Sequence, residues 1–473
     1  MEIKLHNTYT QRIEILKPIN DDGVVRMYCC GPTVYNYAHI GNLRTYIFED
    51  ILKKSIIRAG YKIKHVMNIT DVGHLTSDAD SGDDKMLLAA EKEKKSVLEI
   101  ARKYEDVFFK HTSALNIARP DVVCRATDHI QDMIKFVERL EDKGYAYFSN
   151  GNVYFDTAKF GAYGRLSGQN RKDLKHGARV EEDANKRNAS DFVLWFTVSK
   201  FKDQILQWDS RWGRGYPGWH IECSTMSIKH LGEKLDIHCG GVDHIAVHHE
   251  NEIAQSEAYL GHKWCNMWLH GEFLQMKNDE KMSKSKGNFI TLDTLIEKGY
   301  NPLHYRYLVL TSHYRSPLIF SYENLDSAAS AYKKLKIKYA EFLSDERKDV
   351  SAEQEKKFNA YVDEFNSYIL NDLKTSQALA LLWKVVKDKD FPSSLKVKFM
   401  DNADEIFALN LAQPQEATED NPFSEEITAL LEERKNARIN KDWKKSDEIR
   451  DILAQKGIKV KDLPNNEVEI STI

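Results

Sequence analysis

The sequence predicts an α/β fold: a parallel sheet split by an insertion, then a helical bundle and a small C-terminal unit. Three observations predict it. Residues 24–69 read as strand, loop, helix and strand in succession. Residues 235–261 repeat a strand followed by a helix. From Leu325 onward apolar residues recur at helical spacing, at Leu325, Ala328, Tyr332, Leu335, Tyr339 and Phe342.

The elements follow in order. Val24 to Cys30 reads as a short buried strand, broken by Gly31 and Pro32. A loop leads to a helix from near Gly41, with Leu43, Ile47 and Ile51 as its inward stripe and Gly60 where a C-terminal cap is expected. Tyr61 to Ile69 is the next strand, and Thr70-Asp71 closes it at the carboxyl end, where α/β sheets bind ligands. Asp71 to Lys85 is a polar rim loop and residues 86–116 read as helical. These make residues 1–117 the first half of the α/β domain. Residues 118–207 change texture and read as an insertion, with a hairpin around Asn150-Gly151 and a charged, flexible loop over 168–190. The second half, 208–275, contains a helix opened by Gly218 to Cys223, a strand from Leu235 to His238, and a helix from His248 that Gly261 ends. Residues 276–324 form a lysine loop and a connector with Ser312 to Pro317. Residues 325–411 form the bundle, 412–424 a linker, and 425–473 a unit of two helices and a strand at 458–460.

Composition narrows the class of function. A chain of 473 residues with a net charge of −4 has no global basic field, so any nucleic-acid contact must be local. Arg434, Lys435, Arg438, Lys441, Lys444 and Lys445 offer one such face. Six cysteines in a chain this long do not form a disulfide framework; metal or structural thiols in a reduced compartment are expected. No signal peptide and no run of 18 apolar residues is visible, so a cytoplasmic protein with no membrane span is expected.

Two stretches carry chemistry. The loop–helix junction at His39 to Asn42 presents free N–H groups and the positive end of a helix dipole, a ready anion site for a phosphate. Lys281-Met282-Ser283-Lys284-Ser285, followed by Lys286, is a cationic loop able to cover a polyphosphate. Alone it reads as a solvated charged turn. Cys30, Cys223, His248 and Glu252 make a scattered set of soft and hard donors, and the last two share a helix face. Two sulfurs, one imidazole and one carboxylate suit a tetrahedral zinc, with His249 competing against His248. Two buried thiols and a satisfied core histidine are the plain alternative.

His39-Ile40-Gly41-Asn42 closely resembles the His-Ile-Gly-His signature of class I aminoacyl-tRNA synthetases, and the lysine loop is similar to their Lys-Met-Ser-Lys-Ser signature. About 240 residues separate the two. Met27 to Gly31, Gly218 to Cys223 and His248 to Glu252 resemble the three zinc-bearing motifs of the cysteinyl-tRNA synthetase family. The match extends through Ser312 to Ser316 into the bundle, so it covers nearly the whole chain.

The resemblance implies a Rossmann-like class I synthetase catalytic domain. It implies one zinc on Cys30, Cys223, His248 and Glu252, with Cys29 outside the set. Gly31, Thr70 and Trp219 would bind L-cysteine. His39, Asn42, Lys281 and Lys284 would act on ATP, which brings magnesium, and Gly241 with Asp243 would hold the adenosine. The bundle and an anticodon-recognition unit at 425–473 would grip the cysteine tRNA, and a monomer is expected. Zinc answers a physical need, because an apolar pocket separates near-isosteres such as cysteine and serine by only about a hundredfold.

Asn42 departs from the class pattern: an amide can donate to phosphate but carries no charge. Two rival functions share these motifs. A cysteine-activating ligase that transfers to an amino-sugar would not need the residues after 325. A catalytically silent RNA-binding homologue is favoured by Asn42 alone.

Overall fold

The computed structural model describes residues 1–72, 96–168, 185–198, 206–277, 289–345, 350–413, 425–439, 442–455, 458–462 and 468–472. The expected rim loop beyond residue 72, residues 86–95, the charged loop over 169–184, Lys281, Lys284 and the linker over 414–424 lie outside the described residues.

A hairpin of β1 (Lys4–Asn7) and β2 (Arg12–Ile15) precedes β3 (Val24–Cys29). Helix α1 (Ile40–Arg58) follows, then β4 (Lys62–Ile69), α2 (Val97–Ala114) and β5 (Val122–Arg125). His39 caps α1: its Nδ1 accepts from the Asn42 amide, and the Asn42 side chain accepts from the His39 amide. The stripe of Leu43, Ile47 and Ile51 is buried, each side chain contributing about 1.5–3 kcal/mol of apolar transfer. Gly60, at φ +97°, lets the chain reverse into β4.

Next come α3 (Ile130–Asp142), β6 (Ala146–Ser149), β7 (Asn152–Phe155), β8 (Phe192–Phe196), β9 (Trp208–Ser210) and β10 (Gly213–Pro217). The β6–β7 hairpin turns on Asn150 and Gly151, both at positive φ, as a two-residue turn requires. After it run α4 (Trp219–Leu231), β11 (Leu235–Gly241), α5 (His248–Leu260), β12 (Cys265–Gly271) and β13 (Leu274–Met276).

The parallel sheet has the order β12-β11-β3-β4-β5, and the inserted antiparallel sheet the order β6-β7-β8-β10-β9. Both expected insertion boundaries therefore move. β5 pairs with β4, so residues 122–125 belong to the parallel sheet and not to the insertion. β9 and β10 join the antiparallel sheet, so the second half resumes at α4 and not at Trp208. Strand pairing decides this, and a short strand's sequence does not name its partner.

The expected connector is largely helical: α6 (Leu292–Glu297) and α7 (Pro302–Leu310) lead to β14 (Leu318–Phe320), which pairs with β13. The bundle comprises α8 (Tyr322–Leu343), α9 (Ala352–Ile369), α10 (Thr375–Lys387) and α11 (Ser393–Phe407). Its core is continuous with α1 and one face of the parallel sheet, and Met1–Ala412 form one compact unit. Arg306, fully buried on α7, pairs with Asp50 of α1 at 2.6 Å and donates to the carbonyls of Leu115 and Phe407.

Gln413–Ile473 form a second unit: α12 (Glu425–Ile439), α13 (Trp443–Gln455) and a hairpin of β15 (Ile458–Asp462) and β16 (Val468–Thr472). Arg434 is only 2% exposed and so leaves the expected basic face; Lys445 pairs with Glu433 while Lys444 is exposed.

Candidate active site and metal centre

The chain leaves β3 toward β4 on one side, and β11 leads to β12 on the other. The carboxyl ends of β3 and β11 thus flank a topological switch point, where open α/β sheets form a crevice. Cys30 and Gly31 follow the last residue of β3 there, and Gly240 and Gly241 end β11. At Gly31 a Cβ would lie 1.6 Å from the Asn68 carbonyl oxygen, so only glycine fits. Its N–H donates to Asn68 Oδ1 at 2.8 Å; Asn68 Nδ2 donates to Thr70 Oγ1, which donates to Glu222 Oε2 at 2.8 Å. This chain of bonds braces the β3 and β4 ends against α4. Burial pushes the Glu222 carboxyl well above its ordinary range.

Four donors converge beside this platform. The ligand atoms of Cys30, Cys223, His248 and Glu252 all lie within 4.8 Å of one another, and all four residues are buried. Cys30 Sγ is 3.9 Å from Cys223 Sγ and from Glu252 Oε1, and His248 Nε2 is 2.6 Å from Glu252 Oε1. The residues come from the end of β3 and the first two turns of α4 and α5, so helix starts aim three of them. Burial alone would depress the His248 imidazole, but the Glu252 carboxylate and Cys223 sulfur raise it to about 10. Burial likewise pushes the Cys223 thiol up, yet Cys30 and His248 bring it down to about 6. Burial lifts the Cys30 thiol well above its usual value. The two sulfurs, imidazole and carboxylate are a donor set that fits tetrahedral zinc.

An overlapping set, Cys30, His238, His249 and Glu252, is equally compact. His249 Nε2 is 3.3 Å from Cys30 Sγ, and its Nδ1 meets His270 Nε2 at 2.8 Å; His270 Nδ1 reaches Thr8 Oγ1. His238 Nε2 is 2.7 Å from Glu252 Oε2, while His220 Nδ1 is 3.0 Å from His248 Nδ1. Sequence reasoning missed His238, His220 and His270. The adjacent pair His248-His249 was the only local signal, since strand histidines announce no partner.

Trp219, half-buried at the start of α4, stacks on the His248 ring with centroids 4.1 Å apart. Gly241 faces Asp243: a Cβ there would sit 2.3 Å from Asp243 Oδ1. His39 and Asn42 stand at the N-terminus of α1, and Asn42 is exposed. The Ile40 N–H donates to the Ile290 carbonyl, which ties this junction to the segment after the lysine loop. Lys281 and Lys284 fall outside the described residues. The six cysteines are all buried and free, and Cys265 donates to the Met267 carbonyl. No helix among the described residues is long and apolar enough to cross a membrane.

Comparison with known proteins places the chain in a family. Residues 16–330 match the family model of the tRNA synthetases class I (C) catalytic domain. Residues 420–466 match that of the cysteinyl-tRNA ligase anticodon binding domain. A cysteine--tRNA ligase of Treponema denticola is 49% identical over 484 residues, covering 98% of each chain. One from Borrelia hermsii is 46% identical, covering 97% of each, and cysteine--tRNA ligase 1 of Burkholderia lata is 46% identical, covering 99% of this chain and 96% of its own. Among solved structures, Mycobacterium tuberculosis methionyl-tRNA synthetase bound by methionyl-adenylate has a TM-score of 0.55 at 15% identity, covering 83% of this chain and 90% of its own. The ternary complex of Agrobacterium radiobacter LeuRS has a TM-score of 0.58 at 10% identity, covering 83% and 84%. These last two share the fold.

Proposed function

The chain belongs to the cysteine--tRNA ligase family of class I synthetases, and on that premise we propose that it charges the cysteine tRNA through a cysteinyl-adenylate, in a pocket that holds zinc. The observation that carries this reading is the convergence of Cys30, Cys223, His248 and Glu252 at the crevice beside Trp219. When bound there, zinc would favour a thiolate ligand over an alcohol and promote loss of the thiol proton.

This chain's own residues do the rest. The Trp219 ring, held against His248, closes the pocket around the substrate side chain. The Gly31 backbone and the Thr70 hydroxyl, braced through Asn68 and Glu222, orient the amino-acid head. The cysteine carboxylate attacks the α-phosphate of ATP, which enters with its magnesium and rests its adenosine against Gly241 and Asp243. Negative charge grows on the α-phosphate. His39 and Asn42, at the positive end of α1, oppose it. Asn42 spends its oxygen on the cap and keeps its Nδ2 to donate. Lys281 and Lys284 hold the β- and γ-phosphates until pyrophosphate departs. Cysteine then passes to the terminal ribose of the tRNA. The match of residues 420–466 to an anticodon-binding family supports that acceptor over an amino-sugar. It also supports the tRNA as partner of the second unit, where Lys444 is exposed. We further propose that the chain acts as a cytoplasmic monomer.

The test has two stages. Purified protein should exchange pyrophosphate into ATP with cysteine and not with serine, and should then charge cysteine tRNA. Absence of cysteine-dependent exchange in folded protein would reject the reading. Exchange without charging would leave adenylate formation standing and reject tRNA as the acceptor.

A further inference from the structure

A second cluster of metal-ligating side chains lies outside the machinery above. Cys124 is on β5, the edge strand of the parallel sheet. His129 ends the single 3-10 turn that follows (Ala126–His129), and His230 sits in the last turn of α4. The three ligand atoms lie within 4.8 Å of one another, with Cys124 buried and both histidines half-buried. His129 Nε2 is 3.2 Å from His230 Nε2, and the two rings meet edge to face with centroids 5.0 Å apart. A tetrahedral site with metal–nitrogen bonds of about 2.0–2.1 Å holds two ring nitrogens about 3.3 Å apart. The observed spacing therefore needs little change to accept an ion.

The surroundings support ligation. His129 Nδ1 is 3.2 Å from Asp132 Oδ2, the carboxylate–histidine arrangement that orients a ligating ring and leaves Nε2 for the metal. Lys229 is paired with Asp132 at 3.1 Å, and Lys64 with the His230 carbonyl. Cys124 Sγ donates to the Met67 carbonyl at 3.6 Å and would have to give up that contact.

We propose that Cys124, His129 and His230 form a second, three-ligand site for a divalent transition ion such as zinc or cobalt, with a fourth position open to water. One thiolate and two imidazoles suit that class of ion, whereas magnesium and calcium prefer oxygen. A bound ion would tie edge strand β5 to the C-terminal turn of α4. The opposite end of the same helix carries Cys223. The proposal does not depend on the reading of the Cys30 cluster.

The test is metal stoichiometry on the full chain, loaded with zinc, freed of excess and analysed for metal. His129→Ala and His230→Ala should each hold one equivalent less than the parent, and Cys223→Ser should not remove that equivalent. Equal zinc in the parent and both histidine variants would overturn the site. A parent with one equivalent, lost in Cys223→Ser and kept in His230→Ala, would do the same. A parent with one equivalent, lost in His230→Ala and kept in Cys223→Ser, would support this site and reject the first. Cys124→Ser guards against a histidine variant that fails to fold. Loaded with cobalt, it should lose one equivalent and part of the thiolate-to-cobalt absorption; an unchanged spectrum and content would overturn the proposal.

Discussion

The two faces of the parallel sheet share the same strands yet are built of different material. Along β3, Val25, Met27 and Cys29 turn toward α1 and the bundle, whereas Tyr28 and Cys30 turn toward α4 and α5. The first face is largely apolar, with Met67, Ile237, Met267 and Leu269 from neighbouring strands. The second collects buried polar groups, among them His220, Glu222, His238, His248, His249 and Glu252. One face is made for stability and the other for chemistry. Cys29 and Cys30 show the consequence. They are adjacent in sequence and equally sheltered, yet one packs near Glu49 and Cys239 while the other joins the donor cluster. The two-residue period of a strand separates their roles.

The largest expected effect tests that separation directly. Cys30→Ser and Cys223→Ser should each lose one equivalent of zinc, weakening affinity by more than the roughly 10–100-fold that loss of an outer-shell partner costs. Cys29→Ser should retain full metal content. Equal loss in Cys29→Ser and Cys30→Ser, by metal analysis of folded protein, would erase the distinction between faces.

A second effect belongs to the stabilising face. Arg306→Met leaves the buried Asp50 carboxylate with Lys54 and the Ala118 N–H as its remaining partners, and the Leu115 and Phe407 carbonyls lose the guanidinium donor. Denaturant unfolding should show a loss of about 3 kcal/mol, the low end for breaking a buried pair because Lys54 still faces Asp50, with the zinc content of the folded fraction unchanged. A loss below about 1 kcal/mol would mean that Arg306 does not hold α7 and the end of α11 to α1.

Asn42 stands in the first turn of α1 and separates capping from catalysis. Asn42→Ala should slow adenylate formation by about 2.7–4 kcal/mol in barrier while leaving cysteine binding nearly intact. Asn42→Asp keeps an oxygen for the His39 amide but loses the donor, so it should fold like the parent and react as slowly as the alanine variant. Asn42→His should retain most activity. Pre-steady-state adenylate formation at saturating cysteine and ATP is the measurement; a parental rate for Asn42→Asp would reduce Asn42 to a helix cap.

The smallest effect is acid sensitivity on the apolar face. Burial, aided by Lys53, depresses the His65 imidazole to about 3, well below its ordinary 6.5. The unfolded chain therefore binds a proton that the folded chain refuses. Stability is complete above about pH 6.5 and falls toward pH 3, by about 1.4 kcal/mol for each pH unit. Both ring nitrogens of His65 lack hydrogen-bond partners, so His65→Leu should fold and should lose about 1.4 kcal/mol less between pH 7.5 and 5.5. Identical urea midpoints for variant and parent across that range would exclude His65 as a source of the pH dependence.

The sequence by itself determined whatever is written in a few consecutive residues. The strand–loop–helix from Val24 to Arg58, its stripe of Leu43, Ile47 and Ile51, the Gly60 reversal and the Asn150-Gly151 hairpin all rest on local periodicity and turn chemistry. So do the starts of α4 and α5, which carry Cys223, His248 and Glu252. Tertiary structure alone decided which strands pair. It moved β5 into the parallel sheet and β9 and β10 into the insertion, because a strand of three to five residues has no intrinsic partner. It buried Arg434 and recruited His238 and His249 around Cys30. Cys30 meets Cys223 across 193 residues of chain and His249 across 219. Contacts that distant arise only when packed helices and a twisted sheet bring them together, whereas caps and periodicities are satisfied within a turn or two of the chain itself.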